Sequence, residues 1–151
     1  MIESFDDFIT DFKQIEALSN FQIIEKCKEL QIKNFKGVFM RDELNKNRTS
    51  TENECLILNI DHSNNNGTHW TCLFIRNGVS CHFDSFGFAP PLEVLNYCKG
   101  LERYYNSFRI QQLNEVICGH YYIYVLYKLS NGYDFYDILD ELVRLKNVYK
   151  Y

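Results

Sequence analysis

No apolar run in this 151-residue chain approaches the roughly 20 residues of a membrane-spanning helix, so no membrane partner is expected. The opening segment, Met1-Ile2-Glu3-Ser4-Phe5-Asp6-Asp7, is acidic and lacks the basic-then-apolar layout of a secretory signal. An intracellular location is therefore the expectation. No Cys-x-x-Cys pair occurs among the six cysteines, which leaves a structural zinc site without support. Basic charge is not in excess either. The formal net charge of −4 argues against generic nucleic-acid binding. Repeats, low-complexity tracts and obvious linkers are also missing, so one domain over residues 1–151 is expected.

What is present is apolar and aromatic. Hydrophobic residues make up 46%, and the chain carries 11 Tyr and 12 Phe. A chain of this length buries roughly 70% of its unfolded surface, which is enough for a sizeable core without disulfides. Cys27, Cys55, Cys72, Cys81 and Cys98 therefore read as small buried apolar residues, and only Cys118 has a context that suggests more. Charge is uneven along the chain. Residues 26–48 carry seven basic and three acidic side chains, a local surplus of +4 that leaves −8 elsewhere. A solvated surface is the plain reading of that window.

Hydrophobic spacing predicts helices first, strands in the middle and helices last, an α+β arrangement. Ser4 and Ser19 each open a helix in capping-box form. The segment from Gly37 to Met40 and that from Cys55 to Ile60 read as strands. Residues 45–54 and Asp61 to Gly67 read as loops. Asn77-Gly78 marks a hairpin between strands at 68–76 and 79–86. Pro91 opens a helix to about Cys98, and Ser107 to Gln111 is a candidate strand. Residues 118–130 have strand-like composition but are too long and too uniformly apolar, so a buried central helix is expected, stopped at Asn131-Gly132. Asp134 caps a final helix whose Phe135, Ile138, Leu139, Leu142 and Leu145 face inward.

Four chemical parts occur in chain order: the imidazole of His69 in Thr68-His69-Trp70, the carboxylate of Asp84 in Phe83-Asp84-Ser85-Phe86-Gly87, the amides of Gln111 and Gln112, and the thiol of Cys118 before Gly119. A cysteine-dependent acyl transfer needs these four. A thiolate attacks a carbonyl, an imidazole handles the proton, a carboxylate fixes the imidazole, and donors hold the oxyanion. A two-residue hairpin loop at 77–78 pairs Thr71 with Asp84 and His69 with Phe86. His69 and Asp84 then share one face as diagonal neighbours, roughly 7–8 Å apart at the backbone. His82 shares that face too, and geometry alone does not exclude it. Taken without Cys118, the His–Asp pair reads more simply as a surface contact. Cys118 opens a helix, where free N–H groups and the dipole favour a thiolate. Gly119 allows close approach of substrate or backbone. Either glutamine is placed to supply an amide donor, and both also read as ordinary surface residues. His62 lies in a polar loop. His120 points away from Cys118 on a helix. Trp70 is either core or a wall of a substrate cleft.

These motifs, with Cys118-Gly119-His120-Tyr121 opening the helix, resemble the catalytic motifs of the adenain-like and Ulp-type cysteine protease clan. Within it the chain is most similar to adenovirus-protease-like enzymes of DNA viruses and Polinton/Maverick-type elements. The resemblance spans residues 55–130, and more weakly Phe35 to Leu44. It implies a papain-like α+β fold, with a central buried helix on a mostly antiparallel sheet, and cleavage of protein substrates after Gly-Gly-type sequences. It implies Cys118 as nucleophile, His69 as general base and acid, and Asp84 as the group orienting His69. Adenovirus-like spacing places the oxyanion amide at Gln111, which is favoured, and SUMO-protease-like spacing places it at Gln112. No metal and no cofactor are implied. Capsid or other viral precursors are the implied substrates, in host nucleus, cytoplasm or virion. The resemblance further implies an activating peptide, with Cys98 a candidate for linking it, and DNA, against which the net charge of −4 argues. Two alternatives stand beside this: a protease removing a ubiquitin- or SUMO-like modifier, and a non-catalytic interaction or structural domain.

Overall fold

The structure is a computed structural model that describes residues 2–12, 17–44, 52–60, 69–111 and 118–148, with the helical backbone alone for Cys118 and 146–148. The element order is α1 (Phe5–Thr10), α2 (Asn20–Glu29), β1 (Phe35–Met40), β2 (Glu54–Asn59), β3 (Trp70–Arg76), β4 (Val79–Phe83), α3 (Leu92–Tyr97), β5 (Glu102–Tyr105), α4 (Cys118–Ser130) and α5 (Phe135–Val148). The sheet runs β1-β2-β3-β4-β5. The expected antiparallel pairing holds for its centre, β2 with β3 and β3 with β4. Both edge strands pair parallel, β1 with β2 and β5 with β4, so the sheet as a whole is mixed rather than mostly antiparallel.

Strand β2 is buried along its whole length, because the sheet is covered on both faces. On one face Cys55, Ile57, Cys72, Phe74, Cys81 and Phe83 meet the helices in the larger core. On the other, Leu56, Leu58, Leu73 and Ile75 meet Val94, Cys98 and Leu101. Helix α4 lies in the larger core, with Tyr122, Ile123, Tyr124, Val125 and Leu126 all fully buried. Each such aliphatic or Phe-sized side chain contributes roughly 1.5–3 kcal/mol by leaving water. A buried tyrosine also needs a partner for its hydroxyl. Tyr124 donates to Glu141 of α5 at 2.7 Å, and Tyr122 is bonded to Ser85 at 2.7 Å. That is why a segment of strand-like composition works as a central helix: its polar tips reach outward-lying elements while its rings fill the core.

Local signals act as expected at several ends. Ser19 and Gln22 form a capping box. Asp134 Oδ2 accepts from the Tyr136 and Asp137 N–H groups at 3.0 and 3.3 Å. Asn77 and Gly78 both adopt positive φ, at 52° and 79°, as a tight hairpin turn requires. The hairpin register is the expected one, with Cys72 opposite Phe83, Leu73 opposite His82 and Arg76 opposite Val79.

One assignment is overturned. The strand expected at Ser107–Gln111 is not formed, and β5 lies earlier at Glu102–Tyr105. Residues 106–111 are instead held irregularly by hydrogen bonds to residues 84 and 85. Strand β4 is also shorter than the 79–86 read from sequence. It stops at Phe83, and a turn follows, closed by the Gly87 N–H on the Asp84 carbonyl at 2.8 Å. Of the loop expected at 45–54, residues 52 and 53 are irregular and Glu54 already belongs to β2, while 45–51 and the loop expected at 61–67 lie outside the described residues.

Candidate active site

The site is built where β3 begins, β4 ends and α4 starts. His69 immediately precedes β3, and Asp84 immediately follows β4. His69 Nε2 lies 2.7 Å from Asp84 Oδ1, and the Asp84 side chain is almost wholly buried. A buried carboxylate must be hydrogen-bonded to persist. Asp84 Oδ1 meets that requirement by accepting from His69 and also from the Phe86 N–H at 2.8 Å. Since Asp84 takes the Nε2–H of the neutral ring, Nδ1 is the nitrogen with the lone pair. The Phe86 ring packs 4.5 Å from the imidazole, centroid to centroid, from the turn that follows β4 rather than from a strand pair.

Supports converge on this pair from three directions. Asn106, 1% exposed, accepts from the Asp84 N–H at 3.0 Å and donates to the Asp84 and Phe108 carbonyls at 2.6 and 3.1 Å. Arg41 donates to Glu93 Oε1 and to the Ile60 carbonyl, and the Ile60 N–H in turn donates to the His69 carbonyl at 3.0 Å. Tyr122 of α4 presents its ring 6.5 Å from that of His69, at 72°. Sequence reasoning missed Asn106, Arg41, Glu93, Ser85 and Tyr122 as parts of this neighbourhood. A signal existed only for Ser85, which stands inside the Phe83–Gly87 motif, and for Tyr122, which directly follows the Cys118–Tyr121 motif.

Gln111 is not a surface glutamine. It is 2% exposed. Its Oε1 accepts from the Ser85 hydroxyl at 2.6 Å, and its N–H donates to the Ser85 carbonyl at 2.9 Å. The structure thus brings His69, Asp84 and Gln111 around one turn, residues 84–87. Gln112 lies outside the described residues, as does His62. Cys118 is the first residue of α4, one turn before Tyr122, and its side chain is outside the described part. Gly119 is buried, and a Cβ there would stand 3.5 Å from Leu18 and Ile23. Trp70 is the first residue of β3, half-buried against the larger core.

The rival histidines are occupied elsewhere. His82 Nε2 lies 3.1 Å from Thr71 Oγ1, and the single Thr71 proton goes to the Leu58 carbonyl. The proton in the His82–Thr71 bond must therefore come from His82. Burial lowers the His82 pKa to about 4, against a smaller raising effect of Asp84. That neutral, enclosed ring is poorly placed to exchange protons with a substrate. His120 is fully buried and packs edge-on against Phe12, 4.5 Å between centroids.

The other five cysteines are buried and free of disulfides. Desolvation pushes the thiols of Cys27, Cys55 and Cys81 up to about 12 and that of Cys72 well above its ordinary value. Among the described residues no cluster of three His, Cys, Asp or Glu is arranged to hold a metal ion, and no helix is long and apolar enough to cross a membrane.

No protein-family model matches the chain, and no curated protein matches it. Two crystal structures of the ASFV pS273R protease, one of Se-Met protein, are similar to it with TM-scores of 0.56 and 0.55 at 16% identity, over 87% of this chain and 66% of that one. The chain thus spans just under two thirds of that protease's length. A structure of the SUMO protease Ulp1 with the catalytic cysteine oxidized to a sulfinic acid gives 0.40 at 14% identity, over 89% of this chain and 68% of the other, and is too distant to inform the fold. The chain shares the mixed α+β fold of the ASFV pS273R protease, with its five-stranded sheet and packed helices.

Proposed function

We propose that this chain is a cysteine endopeptidase. The observation that carries the reading is the buried 2.7 Å pair of His69 and Asp84 at the strand ends, beside a buried Gln111. Cys118 is the nucleophile. The Nδ1 lone pair of His69 takes the thiol proton and later returns it to the departing amine. Asp84 holds the ring through Nε2 and stabilises the imidazolium that forms in between. The Gln111 side-chain amide and the Cys118 backbone N–H receive the negative charge that develops on the carbonyl oxygen. The acyl-enzyme is then hydrolysed by water.

The proposed specificity is cleavage after Gly-Gly-type sequences, in capsid or other precursors of a virus or virus-like element. The motif resemblance to adenovirus-protease-like enzymes supports it, as does Trp70, a bulky ring next to the base. The likeness of fold to a protease of ASFV is consistent with that setting. The test is hydrolysis of Gly-Gly-containing peptides by the wild-type chain and by Cys118→Ala. Loss of hydrolysis in the variant, with an unchanged circular dichroism spectrum, supports the reading. Equal hydrolysis by both contradicts it. A peptide-library profile dominated by large residues before the cut contradicts the specificity alone.

A further inference from the structure

We propose that Ser85 and Tyr122 are positioning residues that set which end of the Gln111 amide faces the reacting carbonyl. This rests on Gln111 being the oxyanion donor of a Cys118 protease. Three residues from three segments meet here, and Ser85 and Tyr122 are fully buried. The Ser85 carbonyl accepts from the N–H groups of Ile110 and Gln111 at 2.7 and 2.9 Å, which fixes the Gln111 backbone. Ser85 Oγ donates to Gln111 Oε1 at 2.6 Å.

A proton count sets the direction of the chain. Ser85 has one hydroxyl proton, and Gln111 receives it. The 2.7 Å bond between Ser85 Oγ and Tyr122 Oη must then be donated by Tyr122. Tyr122 Oη also accepts from the Ser85 N–H at 3.4 Å. The relay runs from Tyr122 to Ser85 to the Gln111 carbonyl oxygen. A primary amide is planar, so fixing Oε1 fixes Nε2 on the other side, away from Ser85. A Ser85 hydroxyl that accepts from Tyr122 has its one proton to offer, and that proton selects the carbonyl end of the amide. An amide turned end for end would present an acceptor to an oxyanion, which repels it.

Placement adds to this. Tyr122 stands one turn after Cys118 on α4, while Ser85 follows Asp84 directly. The relay therefore ties the helix that begins with the nucleophile to the turn that carries the carboxylate and to the segment that carries the amide. The Tyr122 ring is wedged between Phe83, 5.6 Å away, and His69. A phenylalanine would fill that space equally well. The hydroxyl is what the packing alone does not explain.

The test compares two reactions of one thiol in the full chain. With p-nitrophenyl acetate the thiolate adds to the carbonyl, an oxyanion forms, and the ester C–O bond breaks to release p-nitrophenolate as the S-acyl bond forms. With iodoacetamide the thiolate displaces iodide in one step and no oxyanion appears. Tyr122→Phe and Ser85→Ala are each expected to slow acylation of Cys118 about tenfold, less than the ~100–1,000-fold of losing an oxyanion donor outright. Alkylation should stay within about twofold, because these residues act on the amide and not on the thiol. In a Gln111→Ala background neither change should have a further effect on acylation, since the group they position is gone. Equal slowing of both reactions, or an undiminished effect in the Gln111→Ala background, overturns the inference and leaves the protease reading intact. Failure of wild-type Cys118 to react selectively with either reagent overturns both. If Tyr122→Phe does not fold, Ser85→Ala carries the same comparison.

Discussion

The backbone of Phe108 crosses Gly87 so closely that a Cβ on residue 87 would lie 2.5 Å from the Phe108 carbonyl carbon and 2.9 Å from the Arg109 nitrogen. Gly87 also sits at φ +77°, a region where side chains are strained. This crossing lets residues 108–111 reach the Ser85 carbonyl and seat Gln111.

Gly87→Ala should therefore be among the most damaging single changes outside the core. Left-handed strain of roughly 1–2 kcal/mol adds to overpacking of about 1–3 kcal/mol against backbone that cannot rotate away. A melting temperature lowered by more than ~5 °C is expected from a loss of that size in a chain of this length. A melting curve matching the wild type would show that the crossing is not tight in solution.

Asn106 makes its bonds to backbone of residues 84 and 108 while 1% exposed. Asn106→Ala removes the side-chain partner of the buried Asp84 N–H, at a cost of ~1–3 kcal/mol, while the Asp84 carbonyl keeps the Gly87 N–H. Chemical denaturation measures this. A smaller loss together with full activity would mean that the turn holds Asp84 unaided.

Stability should fall as pH is lowered because of His82. Its folded pKa of about 4 lies below the ordinary imidazole value of 6.5, so between those values the unfolded chain binds the extra proton. The contribution is fully present above pH 6.5 and is lost as pH falls toward 4, by up to ~3 kcal/mol. The charges facing His82 are those of Asp84, which opposes the shift, and His69, which adds to it. His82→Leu should flatten the pH dependence of unfolding free energy across this window. An unchanged slope would place the titration elsewhere.

Much of this arrangement was legible from the residues alone. The Asn77-Gly78 turn fixed the register, and the register put His69 and Asp84 on one face, where their side chains now meet. The capped, uniformly apolar 118–130 segment read correctly as a buried helix. The misreadings have physical causes. Glu102-Arg103-Tyr104-Tyr105 pairs along an exposed edge, so it lacks the apolar signature of a strand. Ser107–Gln111 has apolar Phe108 and Ile110 in alternation, yet Phe108 is exposed and the N–H groups of Ile110 and Gln111 go to the Ser85 carbonyl rather than to a ladder. Asn106 carries no periodic signal, since its role is set by a contact 22 residues away.

The two glutamines are separable by kinetics. Gln111→Ala should lower turnover on the order of 100–1,000-fold, while Gln112→Ala should stay within about tenfold. The reverse order would assign the oxyanion to Gln112 and remove the basis for the Ser85 and Tyr122 relay.

The most direct test of the protease account is limiting iodoacetamide with all six cysteines competing, read by peptide mass mapping. Cys27, Cys55, Cys72, Cys81 and Cys98 are buried, and desolvation holds the first four protonated. Buried, protonated thiols react slowly. The account predicts that Cys118 is labelled first, and that His69→Ala slows its labelling by removing the imidazole partner. Labelling spread evenly over several cysteines, with no dependence on His69, would contradict it and favour a non-catalytic domain.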